Sequence, residues 1–125
     1  MSDTLLLDGH SLTLADIGRV AAEGGPRVDL APRARAQLAA ARAVIESRIA
    51  AGESVYGVTT GFGRLAEVVI PPADRIALQR NVIRSHAAGF GEPMPRLVVR
   101  ALMLLRANTL AHGHSGCTAR CVELL

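Results

Sequence analysis

The apolar run Leu5-Leu6-Leu7, closed by Asp8-Gly9, reads as a short strand ending in a turn, and Val28-Asp29-Leu30 reads as a second. Between them Thr13 stands three places before Asp16, the spacing of a capping box. A helix is therefore expected through Ala22, with Gly24-Gly25 as its stop. Pro32 opens a longer helix through about Ala51, in which Leu38, Ala41, Val44, Ile45 and Ile49 recur at helical period as one apolar face, and Gly52 ends it. Pro71-Pro72 opens the next helix, over Pro72 to Ala88, with Ile76, Leu78, Val82 and Ile83 inside it and Gly89 beyond its end. Pro93 and Pro95 open a last one, to about His112. This pattern predicts a mainly α fold with short N-terminal strands and one domain over residues 1–125.

The last helix carries little polar surface. Leu97, Val98, Val99, Leu102, Met103, Leu104, Leu105 and Leu110 are interrupted by Arg96, Arg100 and Arg106, which argues against a membrane span. A helix apolar nearly all round requires burial on several sides, so partners beyond these residues are expected.

Composition narrows the class further. Half of the 125 residues are hydrophobic but only 2% are aromatic, so the core must be built from Ala, Leu and Val. All 14 basic residues are arginine, set against 11 acids, and they are dispersed among apolar positions without forming a block. That pattern gives no nucleic-acid signal. Two cysteines make no disulfide framework, and Met1-Ser2-Asp3-Thr4 lacks a basic secretory start, so a reducing cytoplasm is the expected compartment.

One segment breaks the helical pattern. Val55-Tyr56-Gly57-Val58-Thr59-Thr60-Gly61-Phe62-Gly63 holds the only tyrosine and three glycines within nine residues, a composition that defeats a regular helix or central strand. A shaped loop follows. It offers a phenol, the hydroxyls of Thr59 and Thr60, and a backbone that a small molecule can approach closely. On the residues alone, a lone tyrosine is more often a half-buried packing residue. Gly57, Gly61 and Gly63 lack the strand and helix context of a dinucleotide fingerprint, and Phe62 reads as a packing anchor.

Val55 to Gly63 resembles the tyrosine loop of the aromatic amino acid ammonia-lyases, the family of histidine, phenylalanine and tyrosine ammonia-lyases and the related aminomutases. Leu78-Gln79-Arg80-Asn81 followed by Ser85-His86-Ala87-Ala88-Gly89 is similar to the segment that gives the histidine branch a substrate-facing histidine. Ser115-Gly116, after Leu110-Ala111-His112-Gly113-His114, resembles the family's next helix junction. The spacing of the blocks is also similar, and the resemblance runs from about Leu5 to Leu125. It implies a carbon-nitrogen lyase that eliminates ammonia from an amino acid, assembled as a tetramer.

The resemblance also implies roles for individual residues. Tyr56 would be the base that removes the β-proton. An ordinary phenol ionises near pH 10, so that role needs surroundings that favour the phenolate. His86, with Ser85 beside it, would contact the substrate, with Gly63 near it and Asn81, Thr59 and Thr60 behind. Ser-His at this position is similar to histidine ammonia-lyase, which makes urocanate from L-histidine, whereas tyrosine lyases tend to carry His-Leu and phenylalanine lyases Phe-Leu. The alternative is therefore a phenylalanine or tyrosine ammonia-lyase. From the residues alone, a histidine near a helix C-terminus is more often a helix-end hydrogen-bonding residue, and Asn81 an exposed polar one.

The family's electrophile, 4-methylideneimidazol-5-one, forms from an internal Ala-Ser-Gly, and this sequence contains none; Ser115-Gly116 follows His114. The expectation is an amino-terminal piece of a longer lyase, inactive alone. His112, His114, Cys117 and Cys121 invite a zinc reading, with the cysteines at i and i+4 on one helical face, but match no common zinc spacing. Buried thiols and helix-end histidines, with no metal, are expected instead. A different class is a small helix-turn-helix DNA-binding regulator, since Leu12 to Ala21 resembles the first helix of such domains. It would require a second helix next, and Val28-Asp29-Leu30 stands there.

Overall fold

β1 (Thr4–Leu7) and β2 (Arg27–Leu30) pair in parallel, with Thr4 opposite Arg27 and Leu7 opposite Leu30. Parallel strands need a crossover, and α1 (Leu14–Ala21) supplies it. Its start is built as the sequence implies: the Thr13 hydroxyl accepts from the Asp16 amide, and the Asp16 carboxylate accepts from the Thr13 amide. The Thr13 hydroxyl, and after it Arg19, hold the Asp16 carboxyl below its ordinary range. Asp8, in the turn after β1, accepts from the amides of His10 and Ser11, which lower its pKa to about 2. The element after α1 is a strand and not a second helix, so the helix-turn-helix alternative fails on topology.

The computed structural model describes residues 3–125, and α-helices dominate them. α2 spans Pro32–Ala50, α3 Arg75–His86, α4 Arg96–Ala111 and α5 Ala119–Glu123. The chain divides into two compact units, one of residues 1–45 with 93–125, the other of residues 46–92.

The first unit holds the hydrophobic core. Leu7, Leu30, Ala34, Leu38, Leu104 and Val122 are buried together, with Ala107 and Ala111 between them on α4. Alanine at these contacts lets backbones approach closely, which is how a chain this poor in aromatics closes a core. α4 packs against α1, and Arg100 donates twice to the Val20 carbonyl, at 3.1 and 2.7 Å. One arginine in the apolar run thus ties α4 to the end of α1. Arg35 pairs with Asp29 at 2.6 Å and with Glu123, joining β2, α2 and α5. Leu97, Leu102 and Leu105 nevertheless remain exposed on α4. Among the described residues no helix is long and apolar enough to cross a membrane.

Two expectations are corrected here. The face read along α2 is only partly used: Leu38 is buried, Ala41, Ile45 and Ile49 are half-buried, and Val44 is exposed. The cysteines do not share a helical face, because Thr118 caps α5 and leaves Cys117 before it; Cys117 is half-buried and Cys121 exposed, so neither is a buried thiol.

In the second unit, Pro72–Asp74 forms a short 3-10 turn before α3 begins at Arg75. The two prolines thus open the segment three residues ahead of the α-helix proper. α3 buries none of its residues fully, and Ile76 and Ile83 are exposed.

Candidate active site

The tyrosine loop is shaped by one carbonyl. Val55 O accepts from the amides of Val58, Thr59 and Thr60, at 3.0, 2.9 and 3.4 Å, which curls the chain into a tight turn. Gly57 takes a φ of +69°, a left-handed conformation that costs a side-chain-bearing residue, and a Cβ there would meet the Phe62 ring at 2.9 Å. The outer edge is pinned by Ile70 N to Thr59 O at 2.8 Å and Gly61 N to Val68 O at 3.2 Å. Arg75, the first residue of α3, donates to Ile70 O at 3.1 Å, so the loop is linked to the start of that helix.

Thr59 and Thr60 are buried, and their hydroxyls serve the loop itself. Thr59 Oγ1 accepts from Val55 N at 2.7 Å and donates to Glu53 O at 2.9 Å. Thr60 Oγ1 accepts from Gly57 N at 3.2 Å and donates to Gly61 O at 3.0 Å. Both hydroxyls are therefore consumed by the loop's own backbone. Thr59→Val keeps the shape but orphans the Val55 amide, a loss of about 1–3 kcal/mol of local stability. Hydrogen exchange over residues 53–60 should quicken on the order of tenfold or more, and unchanged protection there would sink this account of the loop.

With the threonines turned inward, Tyr56 is turned out. Its side chain belongs to a residue 65% exposed, and its ring meets Phe62 edge to face at 6.0 Å. Among the described residues the phenolic oxygen has no hydrogen-bond partner, so it is free to act on something else. Gly63, at φ +55°, has open space where a Cβ would stand.

The other candidates sit at the far end of α3. His86 is its last residue, and eleven residues of helix set it about 16 Å along the axis from Arg75. His86 Nδ1 lies 2.8 Å from Val82 O and 3.0 Å from Ser85 Oγ, and Ser85 Oγ lies 2.9 Å from the same carbonyl. Ser85 and His86 are thus brought together; Tyr56 and His86 make no contact with each other. Asn81 is exposed on α3. Val82 was the unread member of this group, although its place three before Ser85 and four before His86 is the helical spacing that makes it their neighbour.

A cleft of about 560 Å³ in the first unit, lined by Leu30, Leu104, Arg27, Arg35, Arg100 and Arg120 among others, includes none of these candidates. Its Arg35 and Arg100 are already engaged by carboxylates and a carbonyl. Rings of His10 and His112 meet edge to face at 4.5 Å and His112 stacks on His114 at 5.9 Å; among the described residues no three His, Cys, Asp or Glu are placed to hold a metal.

Residues 12–125 match the family model for aromatic amino acid lyases. The chain belongs to the aromatic amino acid lyase family. A histidine ammonia-lyase of Anaeromyxobacter dehalogenans is 54% identical over 123 residues, 98% of this chain but 24% of that protein. Among solved lyases, histidine ammonia-lyase from Trypanosoma cruzi superposes with a TM-score of 0.87 at 38% identity, over 97% of this chain and 23% of that one. Ergothionase from Treponema denticola, an ergothioneine-degrading enzyme, gives 0.90 at 30%, over 98% and 24%. The chain thus spans about a quarter of the length of the lyases it matches.

In this lyase chain the residues do not fit formation of 4-methylideneimidazol-5-one. No Ala-Ser-Gly is present, and Ser115-Gly116 is engaged otherwise. Ser115 Oγ contacts Cys117 Sγ at 3.4 Å, and Gly116 is buried at φ +68°, where a Cβ would stand 2.5 Å from the Ile45 side chain. The pair seats the link between α4 and α5 on α2.

Proposed function

We propose that this chain is the amino-terminal quarter of a histidine ammonia-lyase, which converts L-histidine to urocanate and ammonia. The observation that carries the reading is 54% identity to a histidine ammonia-lyase across nearly the whole chain, with Ser85-His86 at the position that separates the family's branches. The reaction breaks the Cβ–H and Cα–N bonds and makes the Cα=Cβ double bond. Tyr56 takes the β-proton on its phenolic oxygen, which has no hydrogen-bond partner among the described residues. His86 and Ser85 stand on the substrate's ring side, with Gly63 giving close approach and Asn81, Thr59 and Thr60 supporting. The electrophile comes from residues outside 1–125, and the whole enzyme works as a homotetramer in the cytoplasm.

The full-length protein should release urocanate from L-histidine far faster than it releases cinnamate or coumarate from phenylalanine or tyrosine. Residues 1–125 alone should release none. Preference for phenylalanine or tyrosine would overturn the substrate assignment, and urocanate from the short chain would overturn its dependence on the rest.

A further inference from the structure

The end of α3 fixes more than the place of His86. A carbonyl oxygen carries only lone pairs, so the 2.8 Å approach of His86 Nδ1 to Val82 O is attractive only when Nδ1 bears hydrogen. Ser85 has one hydroxyl proton, and its oxygen lies 2.9 Å from that same carbonyl, which takes it. The Ser85 oxygen, 3.0 Å from Nδ1, is then a second acceptor for the Nδ1 hydrogen. All three contacts agree on one proton placement. The opposite tautomer would set a nitrogen lone pair against the carbonyl at hydrogen-bond distance.

We infer that Val82 and Ser85 hold His86 as the Nδ1–H tautomer, so that its Nε2 is an acceptor reading an N–H donor on the ring of the bound ligand. This rests on His86 facing the ligand, as proposed above. Ser85 is in that case a positioning residue, acting through the imidazole and not by touching substrate. The ligand selected is a five-membered heterocycle with a ring N–H. A ring that only accepts, such as thiazole, leaves Nε2 without a partner and is disfavoured.

The test uses the full-length enzyme, with kcat and KM for L-histidine and the inhibition constant of thiazolylalanine, which keeps the amino acid backbone and lacks a ring N–H. The wild type should bind histidine at least about tenfold more tightly than thiazolylalanine. Equal binding would overturn the tautomer. Ser85→Ala should shrink that ratio several-fold through KM more than kcat, and Ser85→Thr, which keeps the hydroxyl, should restore it. If Ser85→Ala leaves the ratio alone while His86→Leu collapses it, the Ser85 role is wrong and the His86 reading stands. If His86→Leu also leaves it alone, the site reading itself has failed. A loss in Ser85→Ala that threonine does not rescue would mark a structural role and overturn the inference.

Discussion

Replacing Tyr56 by phenylalanine in the full-length enzyme should lower turnover about a hundred to ten-thousandfold, the usual loss when a general base is removed. The fold should survive. Tyr56 is 65% exposed and its oxygen bonds to no protein group among the described residues, so its removal orphans none of them, and the edge-to-face contact with Phe62 needs only the ring. The fall should therefore appear in kcat, with a circular dichroism spectrum and melting temperature like those of the parent. Near-normal kcat in a folded variant would move the base elsewhere.

The double substitution Ser85→Phe with His86→Leu should lose histidine turnover and shift preference toward phenylalanine. Removing a polar partner that a substrate ring needs changes selectivity on the order of a hundredfold or more, whereas changing a solvated histidine changes it little. Both residues are exposed at the end of α3, and their hydrogen bonds go to each other and to Val82 O, so the pair can be replaced without opening the core. The quantity to measure is kcat/KM for histidine over that for phenylalanine. An unchanged ratio would remove His86 from the substrate site.

Much of this architecture was legible because it depends on local chemistry. Thr13 and Asp16 carry their capping box in their own side chains, and Pro32, Pro72 and Pro95 stand at or just ahead of helix starts because a missing N–H costs least there. The glycines gave away the tyrosine loop in the same way. What could not be read was decided by partners distant in sequence. Which side of α2 is covered depends on core residues distant in sequence, Leu7, Leu104 and Val122 among them, so Val44 was assigned to a face that stays open. Thr59 and Thr60 presented hydroxyls of unknown direction, and only the positions of Glu53 O and Gly57 N turned them inward. Val82 was missed for another reason: its contribution is a carbonyl, which every residue has, so side-chain patterns are silent about it.

The split of the core unit bears on how the chain is made. Leu38 and Leu104 are buried in one core but stand 66 residues apart in sequence, with the whole candidate-site segment between them. At the ribosome's pace of about 5–20 residues per second, Leu38 waits roughly 3–13 s before Leu104 emerges. Through that interval β1, α1, β2 and α2 have no α4 to cover them, and Arg100 has not yet reached the Val20 carbonyl. The nascent chain therefore carries open apolar surface longest in its most N-terminal elements, where a holdase would find it first.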